Sequence, residues 1–227
     1  MAPTFLVCLL LMAVSLWATF KVKSTFAHYQ KVNLRSGVSG AEAAQAILRA
    51  AGIRDVEIAA VPGLLSDHYD PGRKVVALSP EVLEGRNAAA VAVAAHEVGH
   101  ALQHADAYAP LTLRSQMAPL VGFANALAIP MLIFGFVTHS LGLAWLGVAG
   151  FAAAVLFHVV TLPVEFDASR RAIAILERSG LVAPDEMHGV RRTLYAAGFT
   201  YLAAALLGVA ELVHWLSVLG LFGGDRE

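Results

Sequence analysis

Ala88–Ala105 reads AAAVAVAAHEVGHALQHA, a run of alanine and valine that carries His96-Glu97-Val98-Gly99-His100 near its end. Strong helix formers and β-branched spacers over this length predict a helix buried on most sides. Asn87 is its cap, following Gly85-Arg86. Residues four apart share a helix face, so His96 and His100 aim their imidazoles at one point, the H-E-x-x-H arrangement of a metal site. Zinc suits such a pair because it accepts neutral imidazole in a tetrahedral shell. Glu97 follows the first histidine and overhangs the open coordination position, where it can take a proton from a metal-activated water. The alternative is a purely structural cluster, and it fares worse. Two histidines and a glutamate inside so apolar a helix are costly to bury without partners.

Working outward, 58% of the 227 residues are apolar and only 15% are charged. A hydrocarbon core of about 30 Å takes roughly 20 apolar residues to cross. Segments 5–20, 118–137, 141–160 and 199–222 meet or approach that length. The first is short and is expected to extend into its flanks. Met1-Ala2-Pro3-Thr4 carries no positive charge, and Lys21 and Lys23 follow the apolar run, which favours a retained anchor over a cleaved signal peptide. The single cysteine, Cys8, falls in this span and leaves the redox compartment open.

Charge placement sets an expected topology. Ten of the sixteen Lys and Arg residues lie at 21–114 and five more at 170–192, whereas Thr138-His139-Ser140 has none. The positive-inside rule then puts both charged segments in the cytosol and both termini outside, with Arg226 in a mixed-charge tail beside Asp225 and Glu227. A net charge of −1 points to no nucleic-acid partner.

Residues 24–38 read as a polar connector. Ser39-Gly40-Ala41-Glu42 forms a capping box for a helix that Gly52 ends. Residues 55–61 and 73–78 read as two strands of a hairpin, separated by a polar loop at 64–72. Such a hairpin can hold an extended substrate by main-chain pairing. Ser79 and Pro80 start a short helix, the serine as its cap. In the fourth span, Glu211 is expected to pair with His214 or His158, because ionisable groups at that depth need partners.

Two histidines do not complete a catalytic zinc site, which takes three protein ligands. Segment 161–171, TLPVEFDASRR, returns after an even number of crossings and opens a helix-like stretch after Pro163. Glu165 is therefore the leading third ligand. His104 lies about 12 Å along the helix from His96, too far to share its ion. Asp106 sits where metzincin-type sites place a ligand, but those need a turn-making glycine at the position held here by Gln103. Asp106, Asp167 and His104 are the candidates for orienting a ligand. His68, Tyr69 and Tyr195 are the candidates for touching substrate or steadying the oxyanion.

These motifs in this order resemble the YugP-like neutral zinc metallopeptidases, bacterial membrane proteins. The resemblance rests on Ser39-Gly40-Ala41-Glu42, Val61-Pro62-Gly63, Leu65 to Pro71, Ala94 to Ala101 and Leu162 to Ser169. It implies a zinc-dependent membrane peptidase of the bacterial plasma membrane. More loosely, the layout is similar to HtpX-type and CAAX prenyl proteases. In those the glutamate ligand is usually followed four residues later by an aspartate; here Ser169 stands there, so the residues that orient the ligands must differ.

The expected fold is mainly α, a polytopic membrane protein with about four transmembrane helices and a small cytosolic α+β zincin-like catalytic lobe. Its expected parts are an anchor at 1–23, the lobe at 24–117, a membrane hairpin at 118–160, the third-ligand segment at 161–198, and a last helix with tail at 199–227. The expected activity is zinc-dependent cleavage of protein or peptide substrates, with membrane lipid as the surrounding partner. An intramembrane protease, or a non-catalytic scaffold with a structural zinc, is the alternative.

Overall fold

Hydropathy and capping signals decide most of the elements seen in the computed structural model, which describes residues 3–220. In chain order these are α1 (Pro3–Tyr29), α2 (Gly40–Ala50), β1 (Glu57–Ala60), β2 (His68–Asp70), β3 (Val75–Leu78), α3 (Pro80–Leu83), α4 (Ala88–Ala105), α5 (Ala109–Val137), α6 (Leu141–Ser179) and α7 (Met187–Val218). Helices α1, α5, α6 and α7 are each long and apolar enough to cross a membrane. The chain is thus the mainly α, polytopic membrane protein that its composition predicts. Residues 221–222 of the fourth predicted span and the tail with Asp225, Arg226 and Glu227 lie outside the described residues, as do Met1 and Ala2.

The chain divides into two compact units. One comprises the described parts of 1–18, 112–162 and 200–227. Its helices leave large apolar side chains exposed, among them Leu10, Leu120, Phe123 and Leu146, as lipid-facing surface requires. Helices α5 and α6 approach closely through small residues. A Cβ on Gly135 would lie 2.5 Å from the Ala144 nitrogen, and one on Gly150 would lie 2.7 Å from the Ala124 oxygen. Close approach through glycine and alanine is how helices gain packing where lipid removes the hydrophobic drive. His214 does not pair with Glu211. Its Nδ1 shares a 2.9 Å hydrogen bond with Thr4 Oγ1, its ring leans on Phe5, and no ion pair of Glu211 with His214 or His158 occurs among the described residues.

The other unit comprises 19–111 and 163–199. The capping box of α2 forms as its sequence predicts, with Glu42 N–H donating to Ser39 Oγ at 3.2 Å and Ser39 N–H donating to Glu42 Oε2 at 2.8 Å. Gly52, at φ 73°, closes that helix. Ala43, Ala44, Ile47 and Leu48 are buried along one face, and α2 packs on α4.

Four local expectations are corrected. Helix α1 runs on to Tyr29, so Lys21, Lys23 and the start of the predicted connector are helical; nothing in that stretch breaks the backbone pattern. The two predicted strands do not form a hairpin with each other. Strands β1 and β3 pair in parallel, Glu57 with Val75 through Ala60 with Leu78, and the polar loop supplies β2, antiparallel to β3. The order β1-β3-β2 follows from β3, whose four residues are all buried and so take a strand on each side. Asp70 Oδ1 accepts from the Gly72 and Arg73 amides at 2.9 and 3.0 Å and closes the β2–β3 turn. Ser79 does not cap α3 with its hydroxyl, which donates to Asp67 instead. Glu165 does not open a new helix, because α6 continues through Pro163. Proline removes one helical hydrogen bond, and the buried stripe of Val164, Ala168, Ala172 and Leu176 holds the helix together beyond it.

Candidate metal centre

Helix α4 carries the histidine pair, and its ends explain where the pair sits. Asn87 accepts from the Ala90 amide at 2.9 Å and starts the helix. At the other end the Ala107 amide bonds the His104 carbonyl and the Tyr108 amide bonds the Gln103 carbonyl. This is a Schellman ending with Ala107 at φ 50° where glycine is usual. The chain therefore turns at Ala107, four positions later than a metzincin glycine would turn it.

Glu165 and Ser169 are one turn apart on α6 and both face α4. His96 Nε2 lies 3.1 Å and His100 Nε2 3.7 Å from Glu165 Oε2. The two imidazole centroids are 4.8 Å apart and the rings nearly perpendicular. One donor atom from each of His96, His100 and Glu165 falls within 4.8 Å of the others. Glu165 is only 2% exposed and His100 only 6%. Burial alone would raise the Glu165 carboxyl, but the imidazoles of His100 and His96 outweigh it and hold it well below the usual carboxylate range. Burial pulls the His100 imidazole down, but Glu165, Glu97 and Gln103 outweigh that and raise it. Both shifts have one cause: the buried carboxylate and imidazoles face one another, so each favours the charged form of the other.

That donor set fits zinc. Ligands 2.0–2.2 Å from a tetrahedral ion stand about 3.4 Å apart, and the 3.1 and 3.7 Å separations straddle that figure. Two nitrogens and one carboxylate oxygen form an open, three-ligand set of catalytic type rather than a closed structural one.

Beyond the trio, His96 Nδ1 is 3.1 Å from Ser169 Oγ, so the residue standing where related layouts have aspartate is the one that orients this ring. Gln103 is fully buried and bonds His100, Val164 and Asp167 at once. Neither Ser169 nor Gln103 was predicted to orient a ligand. Their only sequence signal is spacing, Gln103 three residues from His100 and Ser169 four from Glu165.

Among the residues predicted to assist, Asp167 reaches the site through Gln103. Asp106 caps the end of α4, is exposed, and pairs with Arg171. His104 is held by Tyr69, whose hydroxyl is 2.8 Å from His104 Nδ1. His68 is exposed on β2 with Nδ1 against the Ser66 carbonyl at 2.9 Å. Tyr195 is exposed on α7. Glu97 is buried beside the histidines and belongs to no donor set among the described residues.

Comparison with known proteins follows the same lines. The family described as "Putative neutral zinc metallopeptidase" matches residues 4–220. The chain belongs to that family. It is 47% identical over 216 residues to "Putative membrane protease YugP" of Bacillus subtilis (strain 168), covering 95% of this chain and 96% of that protein. No solved structure gives a significant match. The resemblance read from the motifs is borne out, and with it a membrane protein of a zinc metallopeptidase family.

In this family member the residue just before the second histidine of the motif is also under steric constraint. A Cβ on Gly99 would lie 2.6 Å from the Ala168 carbonyl oxygen, so α4 and the Glu165-bearing turn of α6 touch backbone to backbone there. Gly99→Ala must push them apart, and overpacking of this kind costs about 1–3 kcal/mol. Thermal unfolding in detergent should show a lower midpoint for this variant, with zinc and with zinc removed; an unchanged midpoint would contradict the close approach.

Proposed function

We propose that this protein is a zinc-dependent membrane endopeptidase whose active site faces the cytosol and acts on membrane or membrane-associated proteins. The observation that carries this reading is the convergence of His96, His100 and Glu165 donor atoms within 4.8 Å, with a glutamate next in the chain to the first histidine. His96, His100 and Glu165 hold the metal. Zinc, when bound, acidifies its water and polarises the scissile carbonyl. Glu97 takes the proton of the attacking water and returns it to the leaving amine, the general acid–base role its buried position beside the histidines permits. Burial of Glu97, His100 and Glu165 keeps these charges in a low-dielectric setting, where each interaction is strengthened. Strand β2 ends the sheet on the side that packs on α4, and its outer edge can take an extended peptide by main-chain pairing, with His68 and Tyr69 as contacts.

The deciding experiment compares protein fragments in membranes of cells carrying the wild type with those carrying Glu97→Gln. Fragments present only with the wild type support the reading, and identical fragment sets from fully expressed proteins oppose it. A non-catalytic scaffold would have no use for Glu97. The charges around α4 favour a site at the membrane surface over cleavage within the bilayer.

The topology belongs to the same proposal, in a bacterial plasma membrane. Single cysteines placed at Asp70 and Glu177, with Cys8 replaced, should be labelled from the cytosolic side, and one at Ser140 only from outside. The lysines and arginines concentrated at 21–114 and 170–192 motivate this expectation. Labelling of positions 70 and 177 from opposite faces would exclude a shared metal site together with the topology.

A further inference from the structure

Gln103 stands three residues after His100 on α4 and is 0% exposed. Its Nε2 donates to the Val164 carbonyl at 2.8 Å and to Asp167 Oδ2 at 3.0 Å. A main-chain carbonyl can only accept, and so can a carboxylate already paired with the guanidinium groups of Arg170 and Arg171. Both amide hydrogens are therefore spent. The remaining atom, Oε1, faces His100 Nδ1 at 3.0 Å and can only accept. A flipped amide would set its NH2 against the ring and its oxygen against two acceptors, so this orientation is the one that satisfies every group.

The consequence for His100 is specific. Nδ1 carries a hydrogen, and Nε2 is the atom left to face Glu165 Oε2 at 3.7 Å. The consequence for α6 is equally specific. Val164 and Asp167 bracket Glu165, so one side chain ties the turn that carries the carboxylate to the turn that carries the histidine. We propose that Gln103 is the positioning residue of the metal centre, setting the ring orientation and tautomer of His100 while clamping the Glu165-bearing turn of α6 against α4. This rests on reading His96, His100 and Glu165 as the metal ligands.

It also says what kind of residue the position demands: one acceptor and two donors on a rigid plane. Glutamate has the shape and the acceptor but no hydrogen to give, and it would face the Asp167 carboxylate. Leucine has neither function.

The test uses the full-length protein in detergent, with zinc affinity read by chelator competition and ligand geometry read from the visible spectrum after cobalt substitution. Loss of a group that orients a metal ligand typically weakens metal binding about 10–100-fold. Gln103→Glu and Gln103→Leu should each fall in that range and shift the cobalt bands. In Gln103→Glu combined with Asp167→Asn, the asparagine donates to the new carboxylate and restores that one of the two lost hydrogen bonds, so affinity and spectrum should recover part of the way toward wild type. If Gln103→Leu does not fold, the isosteric glutamate variant and its rescue decide the matter. Wild-type affinity and an unchanged cobalt spectrum in Gln103→Glu would overturn the proposal, as would a drop in stability with neither metal readout altered. Failure of the underlying ligand assignment looks different: Glu165→Ala and His96→Ala would then hold zinc as the wild type does.

Discussion

Glu97→Gln protein should hold zinc like the wild type and cleave substrate about 10²–10⁴-fold more slowly, the usual loss when a general base is removed. The argument has two parts. Glu97 contributes no atom to the donor set of His96, His100 and Glu165, so the metal has no reason to leave when it is changed. It is also buried next to that set, where glutamine has the same shape and remains polar, so packing around α4 is preserved. What the substitution removes is the ability to accept a proton from the attacking water. Zinc content and turnover measured on the same preparation separate the two effects. Activity within a few-fold of wild type, at full zinc content, would dismiss Glu97 as the base.

Glu165→Ala should lose zinc, with affinity falling by more than the roughly 100-fold that marks the upper end for groups that merely orient a ligand. Glu165 is 2% exposed and its carboxylate is the anionic partner of two imidazoles. Without it, His96 and His100 are left as two ligands, one short of the three that a catalytic zinc site takes. Asp106→Ala is the matched control, since Asp106 was the rival for the third position. Its carboxylate side chain is 62% exposed and paired with Arg171, an interaction of the surface kind worth about 0–1 kcal/mol. The control should therefore retain zinc. Metal analysis of both purified variants checks the pair, and a zinc-free Asp106→Ala beside a zinc-loaded Glu165→Ala would reverse the assignment.

Much of this was legible from local signals. The capping box at Ser39 and Glu42, the Asn87 cap, and the four apolar spans depend on residues within a turn or two of each other, so sequence alone suffices to see them. Glu165 could be proposed because counting membrane crossings is a topological argument that needs no coordinates. The sheet was misread because strands 55–61 and 73–78 look alike in either pairing, and parallel or antiparallel register depends on what else covers β3. The break expected at Pro163 failed for a similar reason: a proline's local cost was outweighed by the buried stripe from Val164 to Leu176.

By itself the sequence determined a capped, mostly buried helix presenting His96 and His100 on one face, four membrane-length spans, and membership of a zinc metallopeptidase family. Helical periodicity, hydropathy and motif order are properties of the chain read one stretch at a time. Only the tertiary structure decided that Gly99 lets α4 meet α6 backbone to backbone. That contact brings Ser169 to His96 and joins Gln103 to both Val164 and Asp167. These partners lie more than sixty positions apart in sequence. Their hydrogen bonds exist because two helices pack at a distance only glycine permits, and no local pattern encodes that distance.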